Sequence, residues 1–278
     1  MKEHTISGGG NIRLHVIEAG KPNGRAILFI HGFSQSSRSW IRQINSDLVD
    51  DCRLVAMDIR GHGLSDKPQD AYTDSKLWAD DVYAVIRELN LDHPIMVGWS
   101  YGPLIMLDYI RHYGESEIGG MVLVGGVTGL GTQKVLSVLT PEFLSLIPSF
   151  FSDDQEESRR SLSSLIRLCL LREPSAEDFE QMLEYNLAVP TYVRRGLFSR
   201  TLDNADLLPS IRKPVLVIQG EHDAVVKAEA LEHHKADLPH AQVLVMPNAG
   251  HAAFWDDAAG FNQHLRVFAA ECKAAAAA

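Results

Sequence analysis

The chain has 278 residues, of which 45% are apolar, and its 36 acidic side chains against 26 basic ones give a formal net charge of −10. A chain of this length forms one large domain, or one domain with an insertion. The excess of acidic over basic side chains argues against a function in binding the phosphate backbone of nucleic acids or an anionic lipid surface.

The sequence predicts neither a membrane span nor an export signal. No apolar run approaches the ~20 residues that a span requires, and the first ten residues lack the apolar stretch of a signal peptide. The cysteines, Cys52, Cys169 and Cys272, are odd in number and widely spaced, as expected of reduced structural thiols. We therefore predict a soluble cytoplasmic protein without a nucleic-acid or membrane partner. Its oligomeric state has no signature in the sequence.

The first predicted elements are strands. Residues 5–7 and 12–17 flank a Gly-Gly-Gly-Asn turn and predict an antiparallel hairpin. The runs that follow are apolar throughout, which is typical of strands covered on both faces in a parallel sheet. These runs are residues 27–30, 54–57, 95–97, 121–124, 215–218 and 243–246.

Segments with helical spacing separate these strands. They cover residues 40–48, 78–89 and 104–109, and a last one covers residues 261–272. Most of the strands follow one another at the spacing of βαβ units, about 30 residues each. The predicted fold class is therefore α/β, with a mostly parallel, doubly wound sheet covered by helices on both faces.

One gap between strands is far longer than a βαβ unit and predicts an insertion over residues 128–207. Its helical patches are broken by prolines, and Ser175 before Glu177 and Asp178 predicts a helix start. Inserted helices would lie over the carboxyl edge of the sheet, where ligands bind in such folds. The predicted domains are a core of residues 1–127 and 208–272, a helical cap of residues 128–207, and a tail of residues 273–278.

A candidate nucleophile stands between a buried strand and a helix, in the motif Gly98-Trp99-Ser100-Tyr101-Gly102. In that setting the chain turns sharply, exposes the serine, and needs small residues on either side of it. The following helix N-terminus places partial positive charge where an oxyanion would form. The alternative is an ordinary serine at a helix N-cap, which the strand–turn–helix context disfavours.

A serine nucleophile needs a base and an acid that orients the base. Asp223 follows strand 215–218, and His251 follows strand 243–246, so both are predicted at the same sheet edge as Ser100. The order Ser, Asp, His is that of serine hydrolases built on this type of sheet. His222 as base and Glu221 as acid are the less favoured alternatives.

Together these motifs make the chain resemble the α/β-hydrolase superfamily from the hairpin to the final helix. The matching motifs are the serine motif, His31-Gly32-Phe33, Asp-Ile-Arg-Gly-His-Gly-Leu-Ser at residues 58–65, Gly-Glu-His-Asp at residues 220–223, and Gly250-His251. The resemblance implies a capped serine esterase or lactonase, with an oxyanion hole from the backbone N–H groups of Phe33 and Tyr101. It also implies that His31 holds the oxyanion loop; the alternative is that His31 is a buried turn residue without that role. One departure is Pro103, where many members have glycine; a proline is tolerated in the first turn of a helix.

Two other patterns have structural interpretations. Asp58 and Arg60 are predicted to pair with each other within their loop. The glycines of residues 125–131 lack the spacing of a dinucleotide-binding loop. No metal-binding motif is present, so we predict neither metal nor cofactor.

The substrate pocket is predicted to include Phe33, Trp99, Tyr101 and Phe254, although aromatic residues serve equally well in a hydrophobic core.

The predicted function is hydrolysis of carboxylic esters or lactones with small to medium apolar acyl groups. Ser100 would attack the carbonyl, His251 would transfer the proton, and Asp223 would orient the imidazole. Two alternatives stay open: a cofactor-independent haloperoxidase-like or dioxygenase-like enzyme, and a ligand-sensing receptor that retains the triad. Haloalkane dehalogenases and epoxide hydrolases share the motif of residues 58–65 but use an aspartate nucleophile, so Ser100 argues against both.

Overall fold

The centre of the computed structural model is an eight-stranded sheet with the strand order β1-β2-β4-β3-β5-β6-β7-β8. The structure describes the backbone of residues 1–277 and the side chains of residues 1–272. The strands are β1 (Lys2–Ser7), β2 (Arg13–Gly20), β3 (Arg25–Ile30), β4 (Cys52–Met57), β5 (Ile95–Trp99), β6 (Gly120–Val124), β7 (Val215–Gly220) and β8 (Gln242–Met246).

The sheet is parallel apart from its first edge, as predicted. Strands β1 and β2 pair antiparallel, as do β2 and β4, whereas every pair from β4 through β3, β5, β6 and β7 to β8 is parallel. The interior strands are buried on both faces. The last strand departs from that expectation, because β8 is an edge strand and leaves Val245 46% exposed.

Helices cover the sheet and form the insertion. They are α1 (Ile41–Ile44), α2 (Ser75–Glu88), α3 (Gly102–Tyr113), α4 (Gln133–Val138), α5 (Pro141–Leu146), α6 (Gln155–Cys169), α7 (Ala176–Leu187), α8 (Thr191–Phe198), α9 (Ala230–Asp237), α10 (Ala253–Asp256) and α11 (Ala258–Ala277). Over the residues that the structure describes, none of them combines the length and the apolar character of a membrane span. The predicted tail, residues 273–278, lies outside the described side chains.

The helix predicted over residues 40–48 is broken into short turns. A 3₁₀ turn, Ser37–Trp40, leads into α1, and a second one, Asp47–Asp50, follows it. The Ser46 side chain accepts a hydrogen bond from the N–H of Leu48 at 3.2 Å, so it caps a new turn instead of continuing the helix.

Helices α4 to α8 are inserted between β6 and β7. An antiparallel bridge between Leu130 and Leu202 joins the two ends of this insertion, and Leu139 bridges to Val226 of the core. The predicted start of α7 is confirmed, because the Ser175 hydroxyl accepts from the N–H of Asp178 at 3.1 Å. Such bridges hold the inserted helices beside the carboxyl edge of the sheet.

The predicted pair between Asp58 and Arg60 is wrong. The Arg60 guanidinium instead binds Asp81 of α2, at 2.7 Å and 2.8 Å, with both side chains buried. The Asp58 carboxylate accepts from the Nδ1 of His15 at 2.8 Å and from the N–H of Ser37 at 2.6 Å. Partners from distant parts of the chain therefore replace the local pair, because they satisfy both buried charges with more hydrogen bonds.

Candidate active site

Ser100 lies on the turn between β5 and α3 with a left-handed backbone, φ 57°. Only a few residues other than glycine adopt this conformation, since it costs about 1–2 kcal/mol for an L-residue. The Ser100 N–H donates to the carbonyl of Val124 on the next strand at 3.0 Å, which fixes the turn. The strained turn therefore presents the serine hydroxyl at the carboxyl edge of the sheet.

The two glycines of the serine motif are required by close packing. A Cβ on Gly98 would overlap the Met106 sulfur, and a Cβ on Gly102 would lie 2.5 Å from the carbonyl oxygen of Ile30. Pro103 occupies the first turn of α3, where the N–H that it lacks has no partner in the helix. The turn between strand and helix can therefore be this tight only with small residues at both positions.

Asp223 and His251 meet through a hydrogen bond between Asp223 Oδ2 and His251 Nδ1 at 2.9 Å. Both side chains are buried, at 2% and 1% exposed. The other carboxylate oxygen accepts from the N–H groups of Val225 and Val226, each at 2.8 Å, and Gln219 Nε2 donates to Oδ2 at 2.7 Å. The carboxylate is thus fixed from both sides, and it orients the imidazole so that Nε2 is available to a substrate.

The loop after β3 lies directly against the nucleophile. A Cβ on Gly32 would lie 3.0 Å from the Cβ of Ser100. Neither the Phe33 nor the Tyr101 N–H has a backbone acceptor in the described part of the chain. These are the two donors that the resemblance assigns to the oxyanion hole, and donors without partners in the folded chain suit that use.

Two buried histidines hold this loop. His31 Nδ1 bonds to the carbonyl of Gly32 at 2.9 Å, and its Nε2 accepts from the N–H of Ile59 at 3.1 Å. His62 Nε2 accepts from the N–H of Ser34 at 3.2 Å. Burial lowers the pKa of His31 to about 4 and that of His62 to about 3. Both rings therefore stay neutral at physiological pH and serve as hydrogen-bonding spacers.

Ser100 and His251 line one cavity, with an empty volume of about 280 Å³. Gly32 and Phe33 of the oxyanion loop line it as well. The rest of its wall is mainly apolar and comes from the inserted helices and the loop after β7, through Phe143, Leu165, Cys169 and Val225. The candidate nucleophile, the candidate base and the loop that carries Phe33 thus face one apolar space, an arrangement suited to acyl transfer.

The predicted pocket residues differ in where their side chains lie. Phe33 and Trp99 line this cavity, and Trp99 and Phe254 line a neighbouring one. The Tyr101 ring lines neither of them, because its hydroxyl donates to the carbonyl of Leu197 at 3.1 Å and contacts Arg200 at 3.3 Å. His222 and Glu221 are exposed and lie outside the residues that line the cavity.

Asp256 is a residue near the site that sequence reasoning missed. Its Oδ2 accepts from the N–H of Gly250, next to His251, at 2.8 Å, and from the N–H of Leu171, just after α6, at 3.0 Å. One carboxylate thus ties the histidine loop to the inserted helices. A motif search overlooks it, because Asp256 takes part in no recognisable pattern.

We expect Asp256→Ala to lower the kcat of any reaction that uses His251 by about 10- to 100-fold, because the histidine loop loses its tie and catalytic geometry is sensitive to displacements of about 1 Å. Asp257→Ala is the matched control, since Asp257 bonds to Gly260 at the start of α11 and not to the histidine loop. Steady-state kinetics and melting temperatures of both variants test this; equal losses of kcat would contradict a role for Asp256 in positioning.

Over the described residues, no cluster of histidine, cysteine or acidic side chains is arranged to hold a metal ion. The three cysteines are buried and unpaired. Cys169 lines the cavity, and burial raises the pKa of its thiol well above the ordinary value, so it contributes a neutral, weakly polar surface.

The family model of the alpha/beta hydrolase fold matches residues 25–258. The esterase RhEst1 from Rhodococcus sp. ECU1013 is 31% identical with a TM-score of 0.92, and the match covers 97% of this chain and 99% of that one.

Two curated relatives match over most of their length. The 2-(acetamidomethylene)succinate hydrolase of Mesorhizobium japonicum is 30% identical over 87% of this chain and 86% of its own. The bifunctional esterase/perhydrolase DCH of Acinetobacter calcoaceticus is 28% identical over 90% of this chain and 93% of its own. Similarity of this extent covers both the sheet and the inserted helices.

Proposed function

The chain belongs to the alpha/beta hydrolase family, and from that premise we propose that it is a serine hydrolase that cleaves carboxylic esters through an acyl-enzyme. One observation carries the proposal. Ser100, on a left-handed turn, shares an apolar cavity with His251, whose Nδ1 lies 2.9 Å from the Asp223 carboxylate. This combination of nucleophile, base and orienting acid is the one that acyl transfer requires.

In the proposed mechanism, Ser100 Oγ attacks the ester carbonyl while His251 Nε2 takes the hydroxyl proton. The Phe33 and Tyr101 N–H groups stabilise the negative charge on the carbonyl oxygen. The C–O bond then breaks, and His251 donates the proton to the leaving alkoxide. A water molecule repeats the sequence on the acyl-enzyme and releases the acid, with Asp223 holding the same imidazole tautomer throughout.

The proposed substrates are neutral esters or lactones with small to medium apolar acyl groups. The cavity wall is apolar apart from the reacting groups and Gln35, and it contains no lysine or arginine. The succinate part of the substrate named for the Mesorhizobium relative is anionic, and this chain places no cation in the cavity to receive it. Uncharged esters therefore fit better than carboxylate-bearing ones.

A panel of p-nitrophenyl esters, aryl acetates and lactones tests the proposal. We expect multiple turnover on short uncharged esters, stoichiometric labelling of Ser100 by an organophosphonate, and loss of activity on labelling. Absence of turnover together with absence of labelling would remove the esterase assignment. Stoichiometric labelling without multiple turnover would instead favour the ligand-sensing receptor, which keeps the triad but does not cycle.

Perhydrolysis is the second candidate, because the DCH relative carries both an esterase and a perhydrolase name. In this reaction hydrogen peroxide replaces water in the attack on the acyl-enzyme, so the acyl–oxygen bond to Ser100 breaks and a peracid leaves. The machinery is the same as for hydrolysis, and it needs no redox cofactor. Peracid formation when peroxide is added to the ester assay would establish it.

We further propose that the enzyme acts in the cytoplasm on a small-molecule substrate.

A further inference from the structure

The end of α7, an inserted helix, contacts the loop that carries Phe33. Asn186, the penultimate residue of α7, is fully buried, and so is Ser34, the residue that follows Phe33. The Ser34 hydroxyl donates to the backbone carbonyl of Asn186 at 3.2 Å, and Gln35 Nε2 donates to Asn186 Oδ1 at 3.4 Å. The insertion therefore bonds to the two residues that come directly after one of the proposed oxyanion donors.

The Asn186 side chain is itself held in place by its own helix. Its Nδ2 donates to the carbonyl of Met182, one turn earlier in α7, at 2.8 Å. This hydrogen bond uses the amide donor and leaves Oδ1 as the acceptor for Gln35. A buried amide needs partners for both of its polar atoms, and here one partner is in the helix and the other in the loop. An aliphatic residue at position 186 would leave the Gln35 amide without this acceptor.

Ser34 has a left-handed backbone, φ 59°. A residue other than glycine keeps this conformation only where its surroundings impose it. The Ser34 N–H donates to His62 Nε2 at 3.2 Å, and the Ser34 hydroxyl donates to Asn186. The first contact comes from the core and the second from the insertion. The peptide that presents the Phe33 N–H adjoins this strained turn, so release of the turn would displace that N–H.

The rest of α7 follows the same segment of the core through exposed side chains. Arg38 Nη2 donates to Gln181 Oε1 at 3.2 Å, and Arg38 Nη1 lies 3.6 Å from a carboxylate oxygen of Glu184. Exposed pairs of this kind contribute little to stability, because water and salt screen them. The buried contacts of Asn186 are therefore the ones that fix the helix against the loop.

We propose that Asn186 is a positioning residue that holds the oxyanion loop, residues 32–36, from the side of the insertion and so directs the Phe33 N–H toward the reacting carbonyl. This inference rests on the proposed function. Loss of a whole oxyanion donor lowers kcat by about 10²- to 10³-fold, and a displaced donor costs less. Because the donor acts on charge that develops only in the transition state, kcat should fall while KM changes little.

Kinetics on p-nitrophenyl acetate and the Kd of phenylboronic acid test this role in the full-length protein. The boronic acid forms a tetrahedral adduct with a serine nucleophile, so its affinity follows binding of the transition state. Asn186→Ala removes the amide, and Ser34→Ala removes the hydroxyl that bonds to the helix. Asn204→Ala is the matched control, because Asn204 is a buried asparagine of the insertion whose amide bonds to Thr128 and Arg111, away from the loop.

We expect Asn186→Ala to lower kcat about 10- to 100-fold, to change KM less than about threefold, and to weaken phenylboronic acid binding by the same factor as kcat. Ser34→Ala should show the same pattern at about 3- to 10-fold, and the double variant should lose less than the product of the single losses, because both changes release one contact. Asn204→Ala should keep kcat within about twofold, since the loop stays in place.

Hydrogen exchange of the backbone amides of residues 34–37 is a second measurement, which does not depend on activity. Asn186→Ala should accelerate this exchange at least about tenfold, and Asn204→Ala should leave it unchanged. If folded Asn186→Ala and Asn204→Ala have the same kcat, the positioning role is disproved even though ester hydrolysis stands. If Asn186→Ala does not fold, Ser34→Ala decides by the same comparison. If no ester is hydrolysed, the proposed function fails, and the exchange rates alone decide whether Asn186 holds the loop.

Discussion

Ser100→Ala is expected to lower kcat on p-nitrophenyl acetate by about 10⁴- to 10⁶-fold, since loss of the nucleophile leaves only binding and the oxyanion donors. Stability should change little, because the hydroxyl faces the cavity and the backbone keeps its φ of 57°. Initial rates and thermal melts of purified protein provide both measurements. Near-wild-type turnover in a folded Ser100→Ala protein would rule out the acyl-enzyme mechanism.

Two variants separate loss of the nucleophile from general damage. Ser137→Ala changes an exposed serine of α4 whose hydroxyl bonds only to its own helix, and it should keep full activity. Ser100→Gly should be as inactive as Ser100→Ala yet up to about 1 kcal/mol more stable than it, because glycine adopts the left-handed turn without strain. Equal stability of the two Ser100 variants would mean that the turn stores no strain.

The elements nearest the candidate site were the easiest to predict from the sequence. Runs such as residues 95–97 and 215–218 are apolar throughout because the sheet buries both faces, and the motifs that follow them are local in sequence. The positions of Ser100, Asp223 and His251 at strand ends follow from those patterns. That Asp223 and His251 meet follows from the rule that neighbouring parallel strands end at one edge of the sheet.

The features that sequence reasoning missed depend on contacts between distant segments. Cys169 lines the catalytic cavity from the end of α6, and Asp256 ties the histidine loop to that same region. Arg60 binds Asp81, not its neighbour Asp58. Tyr101 faces Leu197 and Arg200, away from the cavity. Periodicity carries no signal for such contacts, because it reports which face of an element is buried and not what buries it.

Arg200, which contacts Tyr101, also forms a buried ion pair with Asp108. This pair links the end of the inserted helices to α3. Arg200 Nη2 binds both oxygens of Asp108, at 2.8 Å and 2.6 Å, and the two side chains are 0% and 5% exposed. Arg200 lies just beyond α8, whereas Asp108 lies within the helix that follows the nucleophile. The pair thus fastens the insertion to the element that carries Ser100.

Asp108→Asn is expected to destabilise the protein by about 3–5 kcal/mol, because it leaves the Arg200 guanidinium charged, buried and without a counter-ion. Asp206→Asn is the matched control: it breaks the Arg111–Asp206 pair, whose side chains are 35% and 69% exposed, and should cost at most about 1 kcal/mol. Urea unfolding at constant pH measures both. A loss from Asp108→Asn no larger than that of the control would show that the pair contributes nothing to stability.

Arg200→Met should behave differently from Asp108→Asn as the pH changes. Burial is the largest influence on the Asp108 carboxyl and raises its pKa to about 6 against the opposing effect of Arg200. Removal of Arg200 raises that pKa further above its unfolded-state value, so the folded state binds more protons than the unfolded state. The free energy of unfolding of Arg200→Met therefore falls as the pH rises through the folded-state pKa of Asp108. Relative to the wild-type protein, the variant should lose more stability at pH 8 than at pH 5. Asp108→Asn should show no such trend, since the Arg200 guanidinium stays charged at both pH values.

An Asp108→Leu, Arg200→Met double variant should be more stable than Asp108→Asn alone, because it buries no unpaired charge.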